Sequence, residues 1–474
     1  MNENENEYDM TRARVQTKHP YLVMMALYLG AFIGMFSETS LNIALPELSK
    51  VFGIDTALTQ WMVVGYMLMI GLVLPFVSML MKWFPVRKLT FFALSAFLVG
   101  SLISGLAPNF TVLLTGRVIQ GIGTGIVLPM MFSMVLEVFP PHKIGAAMGL
   151  TALIIMFAPA IGPTLSGIIL GALSWRWLFV MFAAVLIVAI AFAAKYMKNP
   201  YQLTKPHIDV PSCITSCIGF GGIVLGAGLA SLYGWISAPV LISLIAGVIV
   251  LFIYGKRQLT MENPVLNLKA FGIPQFRIGA FLVMIDFGIT LSAMYLLPQY
   301  IQNGMLIPVA MTGIVMLPGG LVNALVSLGA GKLYDKIGAG MPARCGFLLS
   351  IIGSGLLLFT TKNSSITYII ICHIILMIGV PLAMSPSQSS GLNSLPPHLS
   401  TDGSTILNTM QQVLGAVCTA VATSLLGIGQ SAYLAVRSND SAGAFTQGAH
   451  YGFTFTLALA VIGFIISFRI KKKN

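Results

Sequence analysis

Stretches of about 20 mostly apolar residues, long enough to cross a bilayer as an α-helix, recur from one end of this chain to the other. Inside lipid a segment must satisfy its backbone N–H and C=O groups internally, so uniformly apolar runs of this length form helices. The composition fits that solvent: of 474 residues, 57% are hydrophobic and 8% charged, against about 25% charged in a soluble domain. The 48 glycines and 24 prolines follow no period, and there are only 5 cysteines, which excludes fibrous, disordered and disulfide-rich classes. Cys213 and Cys217 lie one helical turn apart, but no His or second Cys pair completes a metal site.

Hydropathy places fourteen helices, near 21–45, 58–80, 88–107, 111–136, 144–171, 175–195, 209–231, 235–254, 277–302, 308–331, 343–361, 365–387, 404–427 and 451–470. Longer polar connections are expected at 196–208, 255–276, 388–403 and 428–450. The N-terminal stretch carries Arg12, Arg14 and Lys18 and no small-residue cleavage site after the first apolar run, so the first helix is expected to stay in the mature chain. With both termini cytoplasmic, 21 of the 26 Lys and Arg fall inside, leaving Lys50, Arg176, Lys362 and Arg437 outside and Arg117 within a helix. An odd helix count scrambles that partition. The net charge of +12 then reflects topology and contact with anionic lipid, and no nucleic-acid partner is expected.

SMLMKWFPVRK after helix 2 and GKLYDKIGAG after helix 10 occupy equivalent places, which suggests two six-helix halves flanking two extra helices. The expected organisation is a tail at 1–20, a six-helix bundle at 21–200, two additional helices at 201–260, a second six-helix bundle at 261–470 and a basic tail at 471–474.

A charge at the centre of a membrane helix costs about 2.5–3.5 kcal/mol on insertion scales, which makes it a functional candidate. Two acids lie well inside apolar runs: Glu38, expected in the outer half of helix 1, and Asp286, expected near the midplane of helix 9. Both suit proton carriage. Their plainer readings are a solvated vestibule residue for Glu38 and a hydrogen-bond partner of a nearby Ser, Thr or Gln for Asp286. Arg117 is a fixed positive charge able to bias a carboxylate, with Gln120 on the same helix face at i+3; its plainer reading is a structural bond to backbone carbonyls. Asn42, Gln60, Trp61, Tyr66, Tyr295, Gln299, Gln302, Asn408, Gln411 and Gln412 recur at helical spacing. They either line a cavity for a moderately apolar organic molecule or hold helices together. Gly162-Pro163 allows a kink and close packing in helix 5, and Gly222 and Gly226 form a small-residue face on helix 7.

GAGKLY is like the end of a phosphate loop, yet Val326 and Leu333 stand where Gly and Ser or Thr belong. HExxH, GxSxG and clustered His/Cys ligands are likewise missing from the sequence, so an enzyme is not expected. Transport without a nucleotide site or cofactor requires an ion gradient, and membrane potential supplies about 2.3 kcal/mol per charge per 100 mV.

Taken together, these segments resemble the major facilitator superfamily, in particular its fourteen-helix drug–proton antiporter branch of EmrB/QacA type and the lincomycin-resistance-like proteins within it. FSETSLNIALP resembles the first-helix pattern LDxTxxNxALP at Asn42 and Pro46, with Glu38, one position after the pattern's Asp, taken as its acidic residue; LLTGRVIQGIGTG matches the helix 4 motif at Arg117, Gln120, Gly121 and Gly123. APAIGPTLSG matches the helix 5 antiporter motif at Gly162, Pro163 and Gly167, and SWRWLF and LPQYIQ are further hallmarks. The loop after helix 2 departs from GxLxDRxGRR: Ser78, Lys82 and Pro85 replace Gly, Asp and Gly, while Arg87 and Lys88 persist. The second copy keeps Gly331, Leu333, Asp335 and Gly338, and Ile144 replaces a usual Arg.

The resemblance implies a monomeric, multi-pass plasma-membrane exporter of bacterial type, exchanging protons for a small amphipathic or cationic organic substrate by alternating access. It implies proton coupling at Glu38, Arg117 and Gln120, joined by Asp286 as the second intramembrane acid, and cytoplasmic gating at Arg87, Lys88, Gly331, Asp335 and Gly338. Export of an endogenous lipid, fatty acid, peptide or signalling nucleotide is the alternative within transport, and a membrane sensor or scaffold the alternative outside it.

Overall fold

The computed structural model describes residues 19–470 apart from 198, 200–202, 204–208, 262–263, 397–398 and 438. The expectations for Arg12, Arg14, Lys18, Lys198, Lys205 and the tails at 1–18 and 471–474 lie outside the described residues, as do the side chains of Ser78, Lys143 and Ile144. Fourteen helices are long and apolar enough to span a membrane. They are α1 (Pro20–Phe52), α2 (Trp61–Val73), α3 (Val86–Gly105), α4 (Phe110–Val138), α5 (Pro141–Ala172), α6 (Arg176–Tyr196), α7 (Val210–Tyr233), α8 (Ala238–Thr260), α9 (Pro274–Gln299), α10 (Val309–Ile337), α11 (Gly340–Leu357), α12 (Ile366–Asn393), α13 (Ser400–Leu434) and α14 (Ser441–Ser467). One turn of helix, Thr56–Thr59, precedes α2; a 3-10 turn at Leu74–Phe76, holding Pro75, and the short helix Val77–Trp83 continue it. No strand occurs among the described residues.

Local chemistry sets the helix ends. Asn109, Ser365 and Asp440 cap α4, α12 and α14 by accepting from the backbone N–H of Val112, Tyr368 and Gly443. Gly53, with φ of 62°, ends α1 in the left-handed conformation that favours glycine. Several helices run well past their expected ends. The connection expected at 428–450 is mostly helical, because α13 continues to Leu434 and α14 begins at Ser441. Polar residues such as Gln430 and Ser431 lowered the local hydropathy without interrupting the backbone ladder, since they line a cavity between helices. The first helix also extends to Phe52, so Glu38 stands near its middle, just past the midpoint towards the Phe52 end.

With fourteen crossings, His19 and Ile470 emerge on one face of the bundle, termed the terminal face; the opposite side is the far face. Helices α1–α6 pack mainly among themselves, as do α9–α14. The two sets meet along two seams, and the first joins α5 to α10 backbone to backbone. A Cβ on Gly167 would lie 2.8 Å from Gly313 Cα, and Thr164 Oγ1 donates to Gly313 O at 3.0 Å. Glycine is required there because nothing larger fits between the two chains. In the second seam α2 faces α13: a Cβ on Gly415 would lie 2.7 Å from Met67 Cε, and one on Gly71 would lie 3.4 Å from Val413 Cγ2.

The pair α7–α8 lies over this second seam. α7 contacts both α2 and α13, and its Gly228 sits against the Trp61 ring, where a Cβ would be 2.7 Å from Cζ2. Gly222 lets α7 and α8 meet closely, with a Cβ 2.9 Å from Gly247 Cα. α8 is the outermost helix, with Ile242, Val248 and Phe252 exposed. On the terminal face, Arg257 clamps Asp209 in a two-point pair, Nε to Oδ2 at 2.9 Å and Nη2 to Oδ1 at 2.7 Å. This pairing holds the Asp209 carboxyl down at about 2. Gln258 extends the clamp by donating to Ser212 Oγ and accepting from Leu266 N–H, which ties the hairpin to the segment leading into α9.

Candidate functional site

Arg117 is fully buried on α4, and the helix cap at Asn109 fixes its depth about 10 Å along the axis. Its guanidinium is held entirely by residues of α1, α2 and α4. Nη1 donates to Ser37 Oγ at 2.5 Å and to Gln120 Oε1 at 2.7 Å, and Nε donates to Met62 O at 3.1 Å. Its plane lies over the Tyr66 ring, 3.9 Å from the centroid. Gln120 passes the network on, donating to Ser101 Oγ at 2.8 Å, and Ser101 donates to Phe97 O. That reach depends on α3 and α4 almost touching: a Cβ on Gly100 would lie 2.5 Å from Gly116 O. The glycines around the arginine therefore serve the arginine's own network.

Tyr66 does not line a cavity, as the sequence led us to expect. It is wholly buried, donates to Gly34 O at 2.8 Å and meets Thr124 Oγ1 at 2.7 Å. With the single tyrosine proton given to Gly34, Thr124 is the donor. Tyr66 is thus the platform beneath Arg117. Ser37, Ser101 and Thr124 complete this centre, and sequence reasoning missed all three because isolated hydroxyls in apolar helices look like helix glue. Their spacing to Arg117 and Gln120 emerges only once three helices are packed.

Glu38 follows Ser37 directly but does not pair with Arg117. Its side chain is buried, and neither carboxylate oxygen has a hydrogen-bond partner among the described residues. It interacts electrostatically with Arg117 and faces Gln412 of α13 across the seam. The expected vestibule, open to solvent at Glu38, is therefore absent in this conformation. One turn on, Asn42 is buried with Oδ1 unpartnered. Asp286 on α9 is also fully buried with both oxygens unpartnered among the described residues. Its plainer reading, a bond to a neighbouring hydroxyl, is not met: Thr290 donates to the Asp286 backbone carbonyl and Ser292 to Cys418 O. An unpaired carboxyl in such surroundings is too costly to be incidental.

Further polar groups collect on the facing helices. Gln299 accepts from Asn303 while its own Nε2 stays unpartnered. Gln302 lies in a π-helical turn, Tyr300–Gly304, after α9 and donates across to Ile43 O of α1 at 3.1 Å. Gln411 and Gln412 are buried on α13, and Asn408, three residues before Gln411, is half-buried. Tyr295 is buried with its hydroxyl beside Thr423. Gln60 is buried with its whole amide unpartnered, and the Trp61 ring nitrogen is unpartnered next to α7. Buried amides and carboxyls without partners among the described residues thus occur in both helix sets, and Glu38 opposite Gln412 and Gln302 on Ile43 O bridge from one set to the other.

Gly162, Pro163 and Gly167 lie along α5, which remains one continuous helix through Pro159 and Pro163. Gly162 packs on Thr39 of α1, and Thr39 Oγ1 donates to Pro159 O at 3.4 Å. The motif therefore joins α5 to α1 on one side and to α10 on the other.

On the terminal face, Arg87 and Lys88 are exposed at the start of α3, and Arg87 donates to Ala194 O of α6 at 2.9 Å. The Arg87 bond stays within α1–α6. In the second copy, Asp335 is exposed, Gly331 has open space where a Cβ would stand, and Gly338 ends α10 with φ of 75°. No ion pair joins the two copies among the described residues, and no group of three potential metal ligands occurs there.

A fourteen-helix bundle of two helix sets with buried acids, amides and an arginine in its interior is the architecture of a membrane transporter. The chain belongs to the major facilitator superfamily, whose model matches residues 27–419. It is 43% identical over 461 residues to lincomycin resistance protein LmrB of Listeria monocytogenes, covering 96% of this chain and 98% of that protein. It is 44% identical over 458 residues to the LmrB of Bacillus subtilis, covering 95% of each. Among solved structures it shares the fold of a peptide transporter POT in complex with sulfate, with a TM-score of 0.69 at 17% identity over 98% of both chains. It also shares the fold of a bacterial homologue of the human lysosomal transporter Spinster in an inward-facing, unoccupied conformation, with a TM-score of 0.66 at 15% identity, covering 96% of this chain and 97% of that one.

Proposed function

We propose that this chain is a proton-coupled exporter of drugs or other amphipathic, neutral or cationic organic compounds. The observation that carries the proposal is the pair of buried, unpartnered carboxyls, Glu38 on α1 and Asp286 on α9, on the first helix of each set. Lincomycin resistance in near relatives agrees with it. Two buried acids in the interior disfavour an anionic cargo, which bears against fatty-acid or nucleotide export.

Among the described residues, the terminal face carries Lys82, Arg87, Lys88, Lys195, Lys256, Arg257, Lys269, Arg277, Lys332, Lys336, Arg344 and Arg469, while the far face carries Lys50, Arg176, Lys362 and Arg437. By the positive-inside rule the terminal face is cytoplasmic, in the plasma membrane of a bacterial-type cell. The helix sets α1–α6 and α9–α14 act as the two rocking bodies of a monomer that needs no cofactor. Ionised Glu38 or Asp286 receives the substrate from the cytoplasmic side, and protonation from outside displaces it after the halves rock. Arg117 and Gln120 keep a fixed charge beside that exchange.

The test is substrate-triggered proton movement in proteoliposomes, read with a trapped pH dye across lincosamides, cationic dyes and fatty acids. Compound-dependent pH change that is lost in Glu38→Gln or Asp286→Asn, with substrate–substrate exchange preserved, is the expected result. Full uphill pumping by both variants would remove the proton-carrier assignment.

A further inference from the structure

A cavity of about 530 Å³ opens on the far face where three parts of the chain converge. Asp55 caps the one-turn helix Thr56–Thr59 that precedes α2, Ser231 and Trp235 stand at the turn between α7 and α8, and Thr423, Gln430 and Ser431 on the last turns of α13. The volume lies in the range of drug-sized pockets, about 300–1,000 Å³. Neither helix set closes it alone, since the α7–α8 turn forms one wall.

Its chemistry has one sign. The lining holds a carboxylate, an indole, hydroxyls and an amide, and neither Lys nor Arg. Asp55 Oδ1 accepts from Thr56 N–H at 2.7 Å, which orients the carboxylate without neutralising it. Gln430 contributes a neutral amide whose Nε2 is buried and has no partner among the described residues. A single negative charge, an aromatic face and neutral polar groups are the elements that recognise an amphipathic organic monocation. Thr423 also lies beside the hydroxyl of Tyr295, and Asp55 acts electrostatically on that same tyrosine. Thr423 therefore belongs both to the cavity wall and to the surroundings of Tyr295 on α9.

We infer that this cavity is a second binding site, a far-face vestibule that holds an amphipathic organic cation through Asp55 and Trp235. The inference rests on the export reading for its place in a transport cycle, but binding at the vestibule is measurable without transport.

The probe is tetraphenylphosphonium, with triphenylphosphine oxide as its uncharged counterpart. The full-length protein carries Ser431→Cys with Cys213→Ser, Cys217→Ser and Cys345→Ser, in nanodiscs, and modification of the introduced thiol by a polar maleimide is followed by peptide mass spectrometry. The cation is expected to slow labelling about tenfold, the equivalent of about 1.4 kcal/mol, and the uncharged compound to leave it within about twofold. Asp55→Asn, which keeps the helix cap, abolishes protection, and Asp55→Glu restores it. Adding Glu38→Gln and Asp286→Asn leaves protection intact while removing proton exchange, so failure of the transport reading is seen separately. Equal protection by the uncharged compound, or persistence of protection in Asp55→Asn, would overturn the inference.

Discussion

Arg117 donates to Ser37 Oγ at 2.5 Å, although the neighbouring residue, Glu38, is a buried acid with no hydrogen-bond partner among the described residues. The cation and the carboxylate are thus held close but apart, by a hydroxyl that occupies one guanidinium donor. On the proton-coupled reading proposed above, a salt pair between them would form at another step of the cycle, giving the two-state element that protonation could bias.

Three donors of Arg117 are used at once, on Ser37, Gln120 and Met62 O, which a planar fork can do and a lysine ammonium cannot reproduce. Arg117→Lys is therefore expected to lose nearly as much proton-coupled exchange as Arg117→Ala. Ser37→Ala removes one charge-assisted hydrogen bond, worth about 1.5–3 kcal/mol, and is expected to slow exchange about tenfold. Initial rates in proteoliposomes decide both; near-normal rates in Arg117→Lys would mean that only the charge matters.

Gly167 and Gly313 hold the far-face half of the α5–α10 seam at backbone contact. Gly167→Val places a branched side chain where a Cβ already lies 2.8 Å from Gly313 Cα, and overpacking of this kind costs about 1–3 kcal/mol. The variant is expected to favour separation of the far face and to transport at least about fivefold more slowly. Spin labels introduced by Lys50→Cys and Arg437→Cys, on opposite helix sets, read the separation directly. An unchanged distance distribution would show that this contact does not control closure.

Lys362 bridges to Asp440 at 3.0 Å and ties the α11–α12 connection to the start of α14. The Gly443 N–H, then Lys362 and the Tyr433 hydroxyl, hold the Asp440 carboxyl down at about 2, against about 3.9 for an unfolded aspartate. A lowered folded-state value stabilises above the unfolded one and loses that contribution as pH falls through the folded one. Asp440→Asn keeps the cap and removes the charge. The melting-temperature gap between it and the parent protein should be full above about pH 5 and shrink steadily from pH 4 towards 2. Added salt should narrow it as well, since both partners are solvent-accessible. A gap constant across that range would assign the effect to something other than ionisation.

Much of this fold is legible in the sequence because lipid demands uninterrupted apolar length, and fourteen such lengths are present. What hydropathy misjudged were polar helix ends. Gln430 and Ser431 look like loop, yet they continue α13 because their side chains meet a cavity. Among the candidate residues, Glu38, Asp286 and Arg117 stand out because each is expensive in a membrane. Their relation does not stand out, since Ser37 intervenes between Arg117 and Glu38, and a serine where the first-helix pattern has Asp draws no notice beside the acid that follows it. Tyr66 was misplaced for a similar reason: an aromatic ring at helical spacing reads equally as a cavity wall or as a platform, and only its 3.9 Å stacking on Arg117 decides.

The position of α7 makes the molecule asymmetric towards its solvent. One seam is roofed by a helix pair, whereas beside the other Leu165, Ile168, Met311 and Ile314 present apolar side chains outward. Acyl chains can wet only the α5–α10 seam. A greasy compound already dissolved in the bilayer would reach the interior from that side alone, so the two flanks of the protein differ in traffic even though the two halves share one plan.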